Sequence, residues 1–258
     1  MNILANNFYT YKTPSFGTSC RAYLNPIKGL QTGREVFTTT FLLRDDLDFN
    51  NVVDYIKENS GNKSKIKITC LAGADGSEAY SYGLCLLNKL APEELKKVAP
   101  ILSIDRDEEI IKAGESGRIN LSPRDINISK EISNGKEYFV NPQNSIKIAD
   151  NPIKGEQYKS YEPIPELKKM VKFKQGNLVE YIKNYKDDED TLSVINCRNV
   201  MPYLHPAQIS DIAYYADKNL KRGSLFIIGN FDAHNTEIEN YLNFYNFGCI
   251  APNVYKKY

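Results

Sequence analysis

A chain of 258 residues can bury one sizeable core, alone or with a small appendage. Its formal net charge of +1, with 25% charged and 41% hydrophobic residues, calls for neither nucleic acid nor an anionic membrane as partner. No apolar run reaches the roughly eighteen residues of a membrane span, and MNILANNFYTYKTPSF lacks the basic start and apolar core of a signal peptide. The five cysteines are an odd set without CxxC spacing, which suits reduced thiols and a cytoplasmic location. The two histidines, His205 and His234, sit in no metal-spaced motif, so no metal site is expected. Acid–base chemistry would then fall to carboxylates, tyrosines or lysines.

Residues 1–36 are polar and aromatic without a sustained period, and read as an N-terminal extension to a main domain over 37–258. Phe37–Leu43 is a short apolar stretch ending in Arg44, Asp45 and Asp46. The spacing of Phe49, Val52, Val53 and Ile56 predicts a helix, with Asp48 near its start. An apolar, β-branched run predicts a strand over 66–71. A loop with Gly73 and Gly76 then leads into a helix over about 78–90. Next come a short helix from Pro92, a strand over about 100–104 that ends at Asp105, and a helix over about 107–115.

From Ser122 to Pro165 the composition shifts toward Asn, Pro, Ser and Gly, marking an insert over about 122–165. Asn134–Gly135 is a favoured pair for a type I′ turn, and Tyr138, Phe139 and Val140 suit a strand. A small β-hairpin subdomain is therefore expected. Its edge offers a place to dock a partner peptide, or the insert simply covers the sheet. The alternation then resumes with a helix over about 164–170, strand VKFKQ, and a helix from Asn177–Leu178 to about 184. Strand 191–197, a helix over about 206–220, strand 224–230, a helix near 235–244 and a strand near 248–255 complete the pattern. Such alternation predicts a doubly wound α/β domain.

In open α/β sheets the ligand lies beyond the carboxyl ends of the strands, near the switch point. Four predicted strand ends carry suitable groups. The first is the turn from Gly73 to Glu78, where glycine backbone and carboxylates share one loop. Second is Asp105, which can accept both hydroxyls of a ribose or cap the next helix. Third is Asn177–Leu178, whose side-chain and backbone amides can read an adenine edge. Fourth is Arg198–Asn199 after strand TLSVINC, with Tyr203 close behind. The turn lacks the three-glycine spacing of dinucleotide sites, and Asp75 and Glu78 would face a pyrophosphate. S-adenosylmethionine fits better, having adenosine and no phosphate, with a sulfonium and an amino group that favour a carboxylate.

These blocks resemble those of the CheR-type chemotaxis receptor methyltransferases. LAGADGSEAYSYGL is similar to that family's glycine–acid–Tyr–Ser loop, and SIDRDEEIIKAGESGRINLS to its second strand and following helix. GNL at 176–178, INCRNVMPYL at 195–204, LKRGSLFIIGNFD at 220–232 and CIAPNVYKKY at 249–258 follow in the family's order. Upstream, TTTFLLRDD at 38–46 is similar to its Thr-x-Phe-Phe-Arg segment, with Leu42 and Leu43 in place of the aromatics. The resemblance implies a Rossmann-like methyltransferase sheet with a β insert and an N-terminal extension shorter than the family's. It also implies S-adenosylmethionine as cofactor and S-adenosylhomocysteine as product. Matched by position, Thr40, Arg44, Glu78, Asp105, Asn177, Leu178, Arg198 and Asn199 line the cofactor pocket together with the Gly73 loop. Arg44 and Tyr203 fall at the reacting end. The family's His-Ser-Glu is here Asn230–Phe231–Asp232.

The implied reaction is methyl transfer to a glutamate carboxylate of an acceptor protein, such as a chemoreceptor cytoplasmic domain. Neither nucleic acid nor membrane insertion enters it. A cofactor-binding sensor without turnover, or a methyltransferase with another acceptor, is the alternative.

Overall fold

A computed structural model describes residues 40–142 and 159–258. The extension over 1–36 and the middle of the insert lie outside the described residues. The main sheet takes β1 (Lys65–Leu71), β2 (Ile101–Asp105), β6 (Val171–Gln175), β7 (Thr191–Cys197), β8 (Leu225–Ile227), β9 (Phe247–Ala251) and β10 (Val254–Lys257). Their order is β6-β2-β1-β7-β8-β10-β9. Pairing is parallel from β6 to β8, whereas β10 runs antiparallel to both of its neighbours. The first three parallel strands wind outward from β1 to β6, and the next two wind the other way from β7. The switch point therefore falls between β1 and β7, which pair along their whole length from Lys65–Thr191 to Leu71–Cys197. The fold is a doubly wound, Rossmann-like α/β sheet.

Strand alternation divides the core into two layers. Ile66, Ile68 and Cys70 of β1 and Leu192 and Val194 of β7 face α1 (Phe49–Asn59) and α2 (Ser77–Lys89). Leu71, Ile195 and Cys197 face the opposite layer, where α7 (Leu178–Asn184), α8 (Pro206–Asn219) and α10 (Ile238–Phe244) pack. Helix α1 buries Phe49, Val52, Val53 and Ile56, and the Asp48 carboxylate caps it by accepting from Asn50 and Asn51 N–H. Helix α2 is buried at every position from Ser77 to Leu86, because it lies between the sheet and other helices. Among the described residues no helix is long and apolar enough to cross a membrane.

The insert differs from a simple hairpin. Strands β3 (Ile119–Leu121), β4 (Phe139–Val140) and β5 (Lys159–Pro163) form a separate antiparallel sheet with β5 in the middle. Helix α5 (Pro123–Ile132) stands between β3 and β4, started by Pro123 and a reciprocal Ser122–Asp125 capping box. Asn134–Gly135 does take the two positive φ values of a type I′ turn, 53° and 86°. It uses them to end α5, with Gly135 N–H donating to the Lys130 carbonyl and Asn134 N–H to Glu131. After β8 the chain turns at once into α9 (Asn230–Asn235), so the strand expected to reach residue 230 stops at Ile227. The segment read as one strand near 248–255 is the β9–β10 hairpin. It turns at Pro252, which has no N–H for a ladder, and Asn253, at φ 65°.

Asp125 ties the insert to the segment ahead of α1. Its buried carboxylate accepts from Ser122 N–H (2.8 Å) and Oγ–H (3.0 Å) and from Leu42 N–H (3.2 Å). Asp125→Ala leaves two buried N–H groups without this acceptor and should lower the unfolding free energy by about 3 kcal/mol. Asp125→Asn, which keeps one carbonyl oxygen, should lose less; urea unfolding of both variants checks the order.

Candidate active site

Five adjacent parallel strands end on the same edge. They deliver Gly176–Asn177 from β6, Asp105 from β2, the Gly73 turn from β1, Arg198–Asn199 from β7 and Gly229 from β8. Two hydrogen-bonded groups of residues form along that edge.

The first is built on Arg198, whose side chain has no exposed surface. Its Nη1 donates to Glu78 Oε1 at 2.9 Å and its Nη2 to Asp46 Oδ1. The Glu78 carboxylate also accepts from the Asn196 amide, and Asn196 in turn accepts from the buried Tyr82 hydroxyl at 3.1 Å. Arg44 Nε lies 3.5 Å from Asp46 Oδ1, and the Asn199 amide donates to Asp46 Oδ2 at 3.0 Å. Burial raises the Glu78 pKa, with Arg198 and Arg44 pulling it back and Asp46 and Asp232 pushing it up. Burial works against the Arg198 charge, yet Glu78 and Asp46 outweigh it and raise its pKa. Glu78, Arg198, Asn199 and Arg44 are thus one cluster, completed by Asp46 and Asn196.

The second group holds the turn after β1. Asp105 is not the cap of the next helix: that is Asp107, which accepts from Glu109 and Ile110 N–H at the start of α4 (Glu108–Glu115). Asp105 accepts from Ala74 N–H (3.2 Å) and Asp107 N–H (3.0 Å). Burial raises its pKa against those bonds. The turn glycines serve packing. Gly73 N–H donates to the Ile104 carbonyl at 2.8 Å, and a methyl group on Gly73 would overlap Ser103 Oγ. Gly76, at φ 84°, lies against the Phe173 ring. The glycines therefore draw the turn onto β2 and β6. They are not spaced to wrap an anion.

The remaining expected residues have separate placements. Asn177 caps α7, its side-chain oxygen accepting from Val179 (2.8 Å) and Glu180 (3.3 Å) N–H, so that oxygen is committed to the helix. Leu178 opens α7 and packs on the second core layer. Thr40 is buried ahead of the Arg44 segment. Tyr203 lies on a 3-10 turn (Met201–Tyr203), 51% exposed, its ring 6.0 Å from Phe231. Residue patterns alone missed Asn196, Asp46 and Asp232. A polar residue inside the apolar run TLSVINC was the available signal for Asn196, because a fully buried amide needs partners.

The donors and acceptors suit a cationic nucleoside ligand. Carboxylates outnumber guanidinium groups, with Glu78, Asp46 and Asp105 set against Arg44 and Arg198. Arg198 Nε is buried without a hydrogen-bond partner. Among the described residues no group of three or more His, Cys, Asp or Glu is placed to hold a metal.

Removing the central charge should cost more than removing one partner. Arg198→Ala leaves Glu78 and Asp46 facing each other and should destabilise by about 3–5 kcal/mol, while Glu78→Ala, with Asp46 still on the guanidinium, should cost less. Chemical denaturation of the two variants gives the comparison. Burial also raises the Asp232 pKa from 3.8 to about 6. The folded state therefore holds that proton more tightly than the unfolded chain, and this group's contribution to stability declines as pH rises from about 4 to about 6. A cationic ligand has the opposite preference and favours the ionised acids. Binding of S-adenosylmethionine at pH 6 should release protons, and the release should vanish by pH 8. Calorimetry in buffers of different ionisation enthalpy measures it.

Solved structures similar to this chain include a TehB-like SAM-dependent methyltransferase from Corynebacterium glutamicum. It is 12% identical, matched over 83% of this chain and 89% of that one, at a TM-score of 0.39. An S-adenosylmethionine-dependent methyltransferase from Clostridium acetobutylicum is 16% identical over 72% of this chain, which spans only 52% of that protein, at 0.34. The magnesium protoporphyrin IX methyltransferase of Synechocystis, solved with bound SAM, is 11% identical over 81% of this chain and 74% of its own, at 0.36. No curated protein matches the chain. The model of the CheR methyltransferase SAM-binding domain matches residues 38–247, and the chain belongs to that family of S-adenosylmethionine-dependent methyltransferases.

Proposed function

We propose that this methyltransferase acts on an ionised side-chain carboxylate, a glutamate of an acceptor protein such as the cytoplasmic domain of a chemoreceptor. The observation that carries this reading is a site rich in charge whose acids, among the described residues, are already committed to partners. Glu78 is committed to Arg198 and Asn196, and Asp105 to backbone N–H groups. His205 caps α8 through Nδ1, and His234 lies on α9. An amine or hydroxyl acceptor would have to lose a proton. A glutamate, with a reference pKa of about 4.3, is already ionised near neutrality.

S-adenosylmethionine, held by the Glu78–Arg198 cluster and the Asp105-braced turn after β1, would supply a methyl group on a sulfonium for the acceptor carboxylate, with S-adenosylhomocysteine as the product. The protein's part is to bind, orient and exclude water. Arg44, its side chain 24% exposed, receives the acceptor carboxylate while Asp46 moderates its charge. The half-exposed Tyr203 hydroxyl donates to one oxygen and steers the other toward the methyl group. The free thiols of Cys70, Cys85, Cys197 and Cys249 accord with a cytoplasmic setting.

Incubation with methyl-labelled cofactor and receptor cytoplasmic domains, followed by mild base, should release volatile labelled methanol. A base-stable label would assign the methyl group to nitrogen. Absence of label despite S-adenosylhomocysteine binding would make the chain a cofactor sensor. Tyr203→Phe should lower turnover about tenfold, the worth of one hydrogen bond, with S-adenosylhomocysteine affinity unchanged. Asp105→Ala should show the reverse pattern, read by calorimetry beside turnover.

A further inference from the structure

The loop that carries Arg198, Asn199 and Tyr203 has no helix or strand of its own between Cys197 and the 3-10 turn at Met201. Asn199 sits there in the left-handed region at φ 57°, and Val200 follows at φ −123°. Successive residues in such a sequence turn their N–H groups to one side and make a concave nest for an anion. In many proteins a nest of this kind takes a ligand. Here the protein fills it.

The occupant is Asp232 of α9, whose side chain is completely buried. Its Oδ1 accepts from Val200 and Met201 N–H, both at 2.9 Å. Its Oδ2 accepts from Asn199 N–H and from Gly229 N–H, the latter at 2.8 Å. The two loops also interlock in the other direction. Phe231 N–H donates to Asn199 Oδ1 at 3.2 Å, and a methyl group on Gly229 would overlap the Asn199 amide. Three consecutive peptide N–H groups and one from the facing loop therefore converge on one carboxylate. All four hydrogen bonds that the structure gives Asp232's carboxylate run to backbone.

We propose that Asp232 is the positioning residue of the site: its carboxylate fixes the Asn199–Met201 backbone and thereby aims Arg198 and Asn199 at the cofactor and Tyr203 at the acceptor. The inference rests on the cofactor reading only for what is aimed, because the clamp itself is a property of the protein alone. It assigns the Gly229–Asp232 turn a function in the pocket, although none of its side chains need touch the ligand. The same geometry makes the clamp sensitive to mild acid. Four N–H donors saturate the ionised carboxylate, and a proton on either oxygen would point a donor at donors. Burial raises the Asp232 pKa to about 6, which brings that event within reach. Titratable groups on the elements around it are Glu78 of α2, Cys197 of β7, Asp46 behind Asn199, Tyr203 on the 3-10 turn and His234 on α9 itself. Glu239 of α10 is already bonded to the Tyr255 hydroxyl.

The test compares the full chain with Asp232→Asn and Asp232→Glu by amide hydrogen exchange, S-adenosylhomocysteine calorimetry and urea unfolding. Asp232→Asn should speed exchange of peptides covering residues 199–203 at least tenfold, with the β1 and β2 peptides unchanged. It should weaken S-adenosylhomocysteine about tenfold at pH 7.5. Wild-type affinity should fall more steeply from pH 7.5 to 5.5 than that of the Asn variant. Asp232→Glu, which keeps the charge, should recover part of the protection. Wild-type exchange at 199–203 in the Asn variant would overturn the proposal, and so would faster exchange throughout that merely follows lost global stability. A wild-type chain that binds no S-adenosylhomocysteine would overturn the cofactor reading instead, and the exchange comparison would still decide the clamp.

Discussion

A guanidinium withdrawn from water must be compensated within a few ångströms, and the placement of Arg198 imposes that demand on two distant stretches of the chain. Burying the charge costs several kcal/mol unless acids meet it in good geometry. Glu78 arrives from the first turn of α2, 120 residues earlier, and Asp46 from the segment ahead of α1, 152 residues earlier. Asn196 then donates to the second oxygen of Glu78 and accepts from Tyr82, so the polar cluster extends into the sheet without leaving that acid half-satisfied. The pocket exists only where these pieces coincide. Within the cluster Glu78 and Asp46 offset Arg198 and Arg44, and Asp105 beside it adds the surplus of negative charge that suits a positively charged ligand.

The fold was largely legible in the residues because periodicity reports burial directly. Phe49, Val52, Val53 and Ile56 lie on one buried face, and the runs at 66–71 and 191–197 are the central strands. Legibility failed where two structures share a local signature. Asn134–Gly135 supplies two left-handed residues, and such a pair serves a hairpin or a helix end equally well; the capping box at Ser122 and Asp125 decided between them. The segment near 248–255 had the composition of one strand, but Pro252 and Asn253 fold it in two. Residue type also hid the division of labour among acids. Asp105 ends β2 and Asp107 follows two residues on, yet only Asp107 is taken by the helix and Asp105 is left to brace the turn.

The site was legible as a set of strand ends and less so as a set of contacts. Arg198, Asn199 and Glu78 do meet, whereas Asn177 commits its side-chain oxygen to α7. The turn after β1 looked like a backbone cradle, but its glycines answer to Ser103 and Phe173, and its amides bond to Ile104 and Asp105. Asn196 and Asp232 carry much of the geometry through hydrogen bonds that no linear spacing announces. Such long-range polar pairs depend on which strands become neighbours, and that follows from the topology as a whole.

One feature of that topology bears on how the molecule is made. Strand β10 lies between β8 and β9, although it follows both in the chain. The turn entering it places Asn253, whose amide donates to the Asp46 carbonyl and to Asn230. During synthesis the strands β1, β2, β6 and β7 are complete well before β10 emerges. The segment that carries Asp46 must then wait more than 200 residues for its last neighbour. A nascent chain stalled before β10 would hold most of its core while leaving β8 with an open edge, the state in which sheets pair wrongly with other chains. Assembly of the pocket is in this sense a late event in the life of the polypeptide, set by strand order alone.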